Sequence, residues 1–235
     1  MIKQGEIFFN HESSLGLNLK MTNYPSVPSI NEEYDIIDVE GRNGSLYVNK
    51  GTYRDISLTF LFTFESNDIH VSLDKVKEWL LDYSDNRLWY GREDRVFRVK
   101  KVIFGDFQQE FITFGDIKIQ FICEPFLYDE SSVSLQLRES NTAVYYSGTI
   151  PCDTLFKIYA RGNIQLTVDN ETMVISSVMD YVEIDSKLFQ VRNADGTSKD
   201  YDVVGNFVKL SKGHNNISWI GEIELIELEF TSVYR

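Results

Sequence analysis

The sequence predicts a mainly β protein with one helix, and three features support this fold class. Apolar and polar residues alternate in most of the patterned segments, as in strands with one buried face. Turn residues separate the segments of the second half at short intervals, which is typical of an antiparallel β-sandwich. Only the segment around Trp79 has the spacing of an amphipathic helix. With 235 residues, the chain is long enough for two ordinary domains.

The stretch from Ile36 to Phe64 has the clearest pattern in the first half. From Ile56 to Phe64 the apolar residues occupy every second position, which predicts a core strand. Glycines beside or near asparagines predict two tight turns before it, at Gly41–Ser45 and Asn49–Thr52. These turns would bracket a short strand, Leu46–Val48.

The other elements of the first half are a short strand at the start, a helix and three more strands. Ser72 is the predicted N-cap of the helix, whose apolar face is Leu73, Val76, Leu80 and Tyr83. The predicted strands are Glu6–Asn10, Arg87–Tyr90, Val96–Phe104 and Phe111–Cys123, with an irregular Pro/Ser segment at Asn23–Ser29. Pro125 should end the last strand, because proline cannot donate to a central ladder.

The domain boundary is predicted between Tyr128 and Asp129, so the domains are 1–128 and 129–235. A polar, strand-like connector, Asp129–Ser147, opens the second domain. Further strands are predicted at Phe156–Tyr159, Ile164–Val168, Met173–Val178, Tyr181–Ile184, Leu188–Val191, Phe207–Leu210, Asn216–Trp219 and Ile223–Phe230. In the last of these the alternation slips by one residue, which predicts a β-bulge.

Composition excludes several classes of function. A formal net charge of −13 argues against a general nucleic-acid binder, which gains affinity by neutralising phosphates. Cys123 and Cys152 lie among apolar residues and are predicted to be buried thiols of a reducing compartment. The apolar runs are too short for a membrane span, and the first residues lack a signal peptide's apolar region. We therefore expect a protein that stays in the cytoplasm or leaves it only by lysis.

No residues are predicted to be catalytic, cofactor-binding or metal-binding. The sequence has no Gly-rich phosphate loop, HExxH, CxxC or GxSxG motif. His11, His70 and His214 are far apart in the sequence, and the acidic loop Asn193–Asp202 lacks the spacing of an EF-hand. Surface and turn positions account for these residues.

Motifs in both halves are similar to those of the distal tail protein family of long-tailed bacteriophages, often called Dit. In the first half they are Gly41–Phe64, the helix around Trp79 and Phe121–Tyr128. In the second half they are Pro151–Gly162, Tyr181–Ser186 and Gly205–Trp219. The sequence departs from the family at His214-Asn215-Asn216, where a short turn insertion replaces a plain Gly-Asn.

The resemblance implies an N-terminal split-barrel-like β domain with one helix, followed by a galectin-like antiparallel β-sandwich. It also implies a structural virion protein, not an enzyme, that is made in the host bacterial cytoplasm and located at the tail tip. The resemblance further implies that six copies form a homo-hexameric ring. This ring would join the tail tube protein to the tail-associated fibre or lysin protein. Receptor-binding proteins would assemble on this hub for host attachment, and DNA would only pass through its channel. No cofactor and no membrane contact are implied.

Two other functions stay open at this point. One is a carbohydrate-binding β-sandwich that contacts the host cell wall, and the other is a hydrolase without a recognisable sequence motif. The second half has Trp219 as its only tryptophan, and its few arginines lie in the connector, at turns or at the end of the chain, so we expect no galectin-type sugar site.

The turn-rich segment from Gly41 to Tyr53 is predicted to be a contact between protomers, and the candidate residues are Arg42, Leu46, Tyr47 and Tyr53. Arginine and tyrosine are enriched at the centres of interfaces. An ordinary surface hairpin is the alternative. We expect the contacts between neighbours to lie in the N-terminal half.

Overall fold

The computed structural model describes residues 5–111 and 114–235. The chain divides into two compact units, Met1–Glu130 and Ser131–Arg235. Antiparallel strands make up most of both units, and Ile69–Leu81 is the one α-helix in the described residues. The prediction of a mainly β protein with one helix is therefore confirmed.

Most strands of the first unit belong to one antiparallel sheet. The elements of this unit are β1 (Ile7–Phe9), β2 (Glu12–Ser13), β3 (Leu19–Asn23), β4 (Glu32–Ile37), β5 (Leu46–Tyr53), β6 (Ile56–Glu65), α1 (Ile69–Leu81), β7 (Arg87–Tyr90), β8 (Arg95–Phe111) and β9 (Phe114–Asp129). The strand order in the sheet is β2-β1-β7-β8-β9-β6-β3. Strands β4 and β5 pair with each other and form a separate two-stranded sheet.

Strand β6 provides the centre of the first core, as its alternation predicts. Its residues from Ile56 to Phe64 are alternately buried and at least partly exposed, and β6 pairs with β9 along its whole length. The helix adds Trp79, whose indole Nε1 donates a 2.7 Å hydrogen bond to the carbonyl oxygen of Phe9. The apolar side chains of one sheet face and the helix thus form a single cluster.

Three details of the first half differ from the prediction. The helix begins one turn earlier, because Asp68 rather than Ser72 caps it by accepting from the Val71 backbone N–H at 3.2 Å. The predicted turn Asn49–Thr52 lies inside β5 as an irregularity of the ladder. Strand β9 continues beyond Pro125, because the register with β8 shifts there and the proline is in a bulge without a partner in the β8 ladder.

The second unit is a β-sandwich built on two long strands. Its elements are β10 (Val133–Leu137), β11 (Thr142–Tyr146), β12 (Thr154–Val168), β13 (Glu171–Val178), β14 (Tyr181–Asp185), β15 (Gln190–Asn193), a short 3₁₀ turn (Asp200–Asp202), β16 (Val203–Gly205), β17 (Gly213–Phe230) and β18 (Val233–Tyr234). The first part of β12 pairs with the last part of β17; here β14 flanks β12 and β10 flanks β17. The last part of β12 pairs with the first part of β17; here β13 flanks β12 and β11 flanks β17.

Irregularities in the register of β12 and β17 let each strand contribute to both layers of the sandwich. The ladder between β12 and β17 shifts between Arg161 and Gln165, where Gly162 has a φ of 78°, and again after Tyr159. The break predicted between the strands Phe156–Tyr159 and Ile164–Val168 is thus a bulge in one strand. The slip predicted in the last strand coincides with the shift near Leu225. Inward-facing side chains such as Phe156 form the core.

The segment predicted as a strand-like connector, Asp129–Ser147, contains two strands. Residues 133–137 and 142–146 are strands β10 and β11, and both pair with β17. In contrast, Phe207–Leu210 is not a strand; Leu210 makes one isolated bridge to Cys152. The strand next to β13 is instead β16, which the sequence pattern did not indicate.

Candidate protomer interface

The β4–β5 hairpin contributes no side chain to the buried core cluster of the first unit. In the register, Ile36 is opposite Tyr47 and Ile37 is opposite Leu46. Because opposite residues in an antiparallel ladder lie on the same face, the hairpin has apolar side chains on both faces. Isolated two-stranded hairpins are only marginally stable in water, so this one gains from a covering surface.

The turn of the hairpin is held by local polar contacts. Gly41 and Gly44 have φ angles of 80° and 79°, a conformation that suits glycine. The Arg42 backbone N–H donates to the Val39 carbonyl at 3.1 Å. The Ser45 hydroxyl donates to Asp38 Oδ1 at 2.6 Å.

Charged side chains brace the rest of the hairpin. Glu33 accepts hydrogen bonds from Thr52 at 2.9 Å and from Arg54 at 3.0 Å, which lower the pKa of its carboxyl group. Lys50 forms a 2.7 Å ion pair with Asp35, which raises the pKa of the lysine. Glu33 is half-buried and the other groups are exposed, so such contacts add little stability and are screened by salt.

The apolar side chains of the hairpin are unusually exposed. Tyr47 is 63% exposed and Ile36 is 61% exposed. Tyr34, Ile37, Val39 and Val48 are exposed as well. Several exposed apolar side chains on one element are typical of an interaction site.

A second surface feature is a concavity of about 770 Å³ in the second unit. Phe189 and Phe207 line it, with ring centroids 5.5 Å apart and planes at 90°. Asp169, Asn170 and Lys209 also line it, and Lys209 pairs with Asp153 at 2.8 Å. The lining does not include Trp219.

No family model matches the chain, and no curated protein sequence does. A solved structure does match over the whole length: the crystal structure of the SPP1 Dit (gp 19.1) protein, described as a paradigm of the hub adsorption apparatus in phages that infect Gram-positive bacteria. The match covers 99% of this chain and 100% of that chain, with a TM-score of 0.67 and 10% sequence identity. The two proteins share a fold. That fold includes both units, because nearly every residue of each chain is covered.

Within this Dit-like fold, the four candidate residues lie at two places on the hairpin. Arg42 is exposed in the turn, and Leu46 and Tyr47 begin β5, so these three are together at the distal end. Tyr53 is at the base, where its ring packs against Phe126 with centroids 4.9 Å apart. Tyr53 therefore packs at the base of the hairpin, whereas Arg42 and Tyr47 are exposed at its distal end. That the four residues form a contact between protomers stays a prediction.

The prediction missed the residues that β4 contributes, chiefly Tyr34, Ile36 and Ile37. Because both faces of β4 are exposed, its sequence has no clean alternation of apolar and polar residues. The available signal was the pair of apolar residues after Tyr34, opposite a turn rich in glycine and asparagine.

The structure gives no candidate metal site among the side chains that it describes, those of residues 5–105 and 114–235. Within them, no three His, Cys, Asp or Glu side chains form a group that could hold a metal ion. His11 lies 3.9 Å from Asp85, and His214 packs against Tyr145. No helix of the same residues is both long and apolar enough to cross a membrane.

Proposed function

We propose that this chain is a structural protein of a phage tail and forms the ring-shaped hub at its tip. The observation that carries the proposal is the match to the SPP1 Dit hub protein over essentially the full length of both chains. Partial matches often reflect one common domain, whereas this one includes two different β domains in the same order. Fold alone does not determine function, so the proposal needs its own test.

The exposed hairpin supports the ring. A ring of identical subunits needs two different patches on each copy, one of which contacts the other on the next copy. The distal residues Arg42, Leu46 and Tyr47 provide one such patch, and arginine and tyrosine are among the residue types that dominate interface energetics. We propose a homo-hexamer whose neighbour contacts lie in the first unit.

The partners follow from the position of a hub in a tail. The ring would contact the tail tube protein on one side and the tail-associated fibre or lysin protein on the other, and receptor-binding proteins would assemble around it. DNA would pass through the channel without being held, which suits a chain with a net charge of −13. No enzymatic role is proposed.

Negative-stain imaging of the purified full chain tests this function. We expect closed rings with a central opening, alone or after addition of a tail tube protein. A chain that stays monomeric in both conditions would contradict the hub.

The concavity of the second unit favours one alternative, a carbohydrate-binding domain that contacts the host cell wall. Exposed Phe189 offers an aromatic face, and nearby carboxylate and amide groups could accept and donate hydrogen bonds to hydroxyls. The absence of tryptophan and arginine from the lining is our reason to place this function second. A glycan array with the full chain and a Phe189→Ala variant separates the two. Submicromolar binding that this variant loses would establish the alternative.

A further inference from the structure

The sheet of the first unit has an outer face, opposite the helix and the core, that is only partly covered. The ladder pairs Lys20 with Thr63, Leu61 with Lys118, Gln120 with Ile103, and Ile122 with Lys101. Residues paired in this way lie on the same side of a sheet. We call the surface formed by Lys20, Leu61, Lys101, Ile103, Lys118 and Ile122 the lysine face.

The lysine face combines positive charge with apolar area. Lys20, Lys101 and Lys118 are exposed, and none of them forms an ion pair in the described part of the chain. Leu61 is 41% exposed and Ile103 is 38% exposed. Among the described side chains of these rows, Asp116 is the one carboxylate, and Glu65 and Glu124 lie beyond the two ends. The described part of the face is therefore locally cationic on a chain with a net charge of −13.

The β4–β5 hairpin has the opposite character. Between Glu32 and Tyr53 there are five carboxylates, on Glu32, Glu33, Asp35, Asp38 and Glu40, against two cations, on Arg42 and Lys50. Its apolar side chains are exposed on both faces. Complementary charge together with apolar area on both partners is what a specific protein interface requires.

We propose that the hairpin of one copy lies on the lysine face of the next copy. This arrangement covers the apolar side chains of both surfaces and places the hairpin's carboxylates beside unpaired lysines. It joins two different patches, so it propagates from copy to copy and closes as a ring when the rotation permits. The inference deepens the proposed function by naming the acceptor surface.

A nucleic acid is the other ligand that a row of lysines could attract, but the structure favours protein. Phosphate binding gains from cations and not from exposed leucine or isoleucine, and the Asp116 carboxylate lies two residues from Lys118 on the same face. A covered lysine face would also be withdrawn from DNA that passes through the ring.

Site-specific crosslinking gives the direct test. A photo-reactive phenylalanine analogue replaces Tyr47 in the full chain, and crosslinked peptides are identified by mass spectrometry over a range of concentrations. We expect links between copies, to peptides that contain Leu61, Lys101 or Lys118. Links to the second unit, links only within one chain, or no links at any concentration would overturn the inference.

Charge exchange gives the second test. The hairpin variant Asp38→Lys/Glu40→Lys and the face variant Lys101→Glu/Lys118→Glu should each raise the concentration needed for half-assembly about ten-fold or more. The combined variant should recover much of the loss, which a misfolded hairpin could not do. Lys187→Glu/Lys212→Glu, which makes the same charge change at exposed lysines of the second unit, should assemble like wild type.

The outcomes distinguish this inference from the hub itself. Rings whose crosslinks map elsewhere would keep the proposed function and overturn the lysine face as acceptor. A face variant that loses DNA binding but assembles normally would do the same. Crosslinks to the lysine face in a protein that forms open filaments, not rings, would support the contact and count against the hub.

Discussion

Arg42 and Tyr47 lie at the distal end of the hairpin, where no core residue restrains them. We predict that the double variant Arg42→Glu/Tyr47→Ser raises the concentration needed for half-assembly by about ten-fold or more, because both residue types are common hot spots. Light scattering coupled to gel filtration measures this shift. The variant should unfold at the same temperature as wild type, since both side chains are exposed.

A matched control removes one exposed tyrosine and reverses one exposed cation elsewhere. Tyr201→Ser/Lys212→Glu does this in the second unit, where Tyr201 is fully exposed. Equal assembly by wild type and both double variants would show that the hairpin is an ordinary surface loop.

The two cysteines are buried, free thiols. Burial raises the pKa of Cys123 to about 12 and that of Cys152 to about 11, so both remain neutral at pH 8. Because the thiolate is the reactive form, we predict that a disulfide-forming thiol reagent labels neither residue in the native protein. Both should react at once in denaturant. Rapid labelling of the native protein at pH 8 would contradict their burial.

At the level of single elements, the helix cap offers a comparison between two nearby residues. Asp68 accepts a hydrogen bond from the backbone of the first turn, whereas Ser72 bonds to the Ser66 hydroxyl at 2.7 Å. We predict that Asp68→Ala lowers the free energy of unfolding by about 1 kcal/mol and that Ser72→Ala lowers it by less. Urea unfolding followed by circular dichroism measures both. A larger loss of unfolding free energy for Ser72→Ala than for Asp68→Ala would show that Ser72 is the N-cap.

The elements that could be predicted from the sequence are those with one buried and one exposed face. Strand β6 alternates between core and partly exposed positions, so its composition reports its environment directly. Strand β4 has no buried face, and its pattern was correspondingly uninformative. The sequence predicts breaks at Pro125 and between Tyr159 and Ile164, because a bulge within a long strand uses the same residue types as a turn.

The candidate site was predicted in part for the same reason. Glycine and asparagine marked the turn and thereby Arg42, Leu46 and Tyr47 beside it. The lysine face depends on the pairing of strands far apart in the sequence, such as Leu61 with Lys118, and no local pattern contains that information. Long-range register is set by the whole core, not by the exposed residues that share it.

For the whole molecule, net charge should control assembly. Each copy carries a formal charge of −13, and repulsion between copies extends further at low salt, where the screening length grows from about 8 Å at physiological ionic strength to about 30 Å at 0.01 M. We predict that rings form more readily at moderate salt than at very low salt. Light scattering across a salt series measures this, with sucrose of equal osmolarity as the control. Strongest association at the lowest salt would contradict it.

Strand β17 lies late in the chain, and β10, β11 and β12 all pair with it. While the ribosome is still making residues 213–230, these three strands have emerged without the partner that they share. Domains tend to fold as units during synthesis, so the second unit must wait for β17. A nascent chain stalled before Gly213 should therefore expose its Ser131–Val168 region to proteases and chaperones, and release of the last strand should remove that sensitivity in one step.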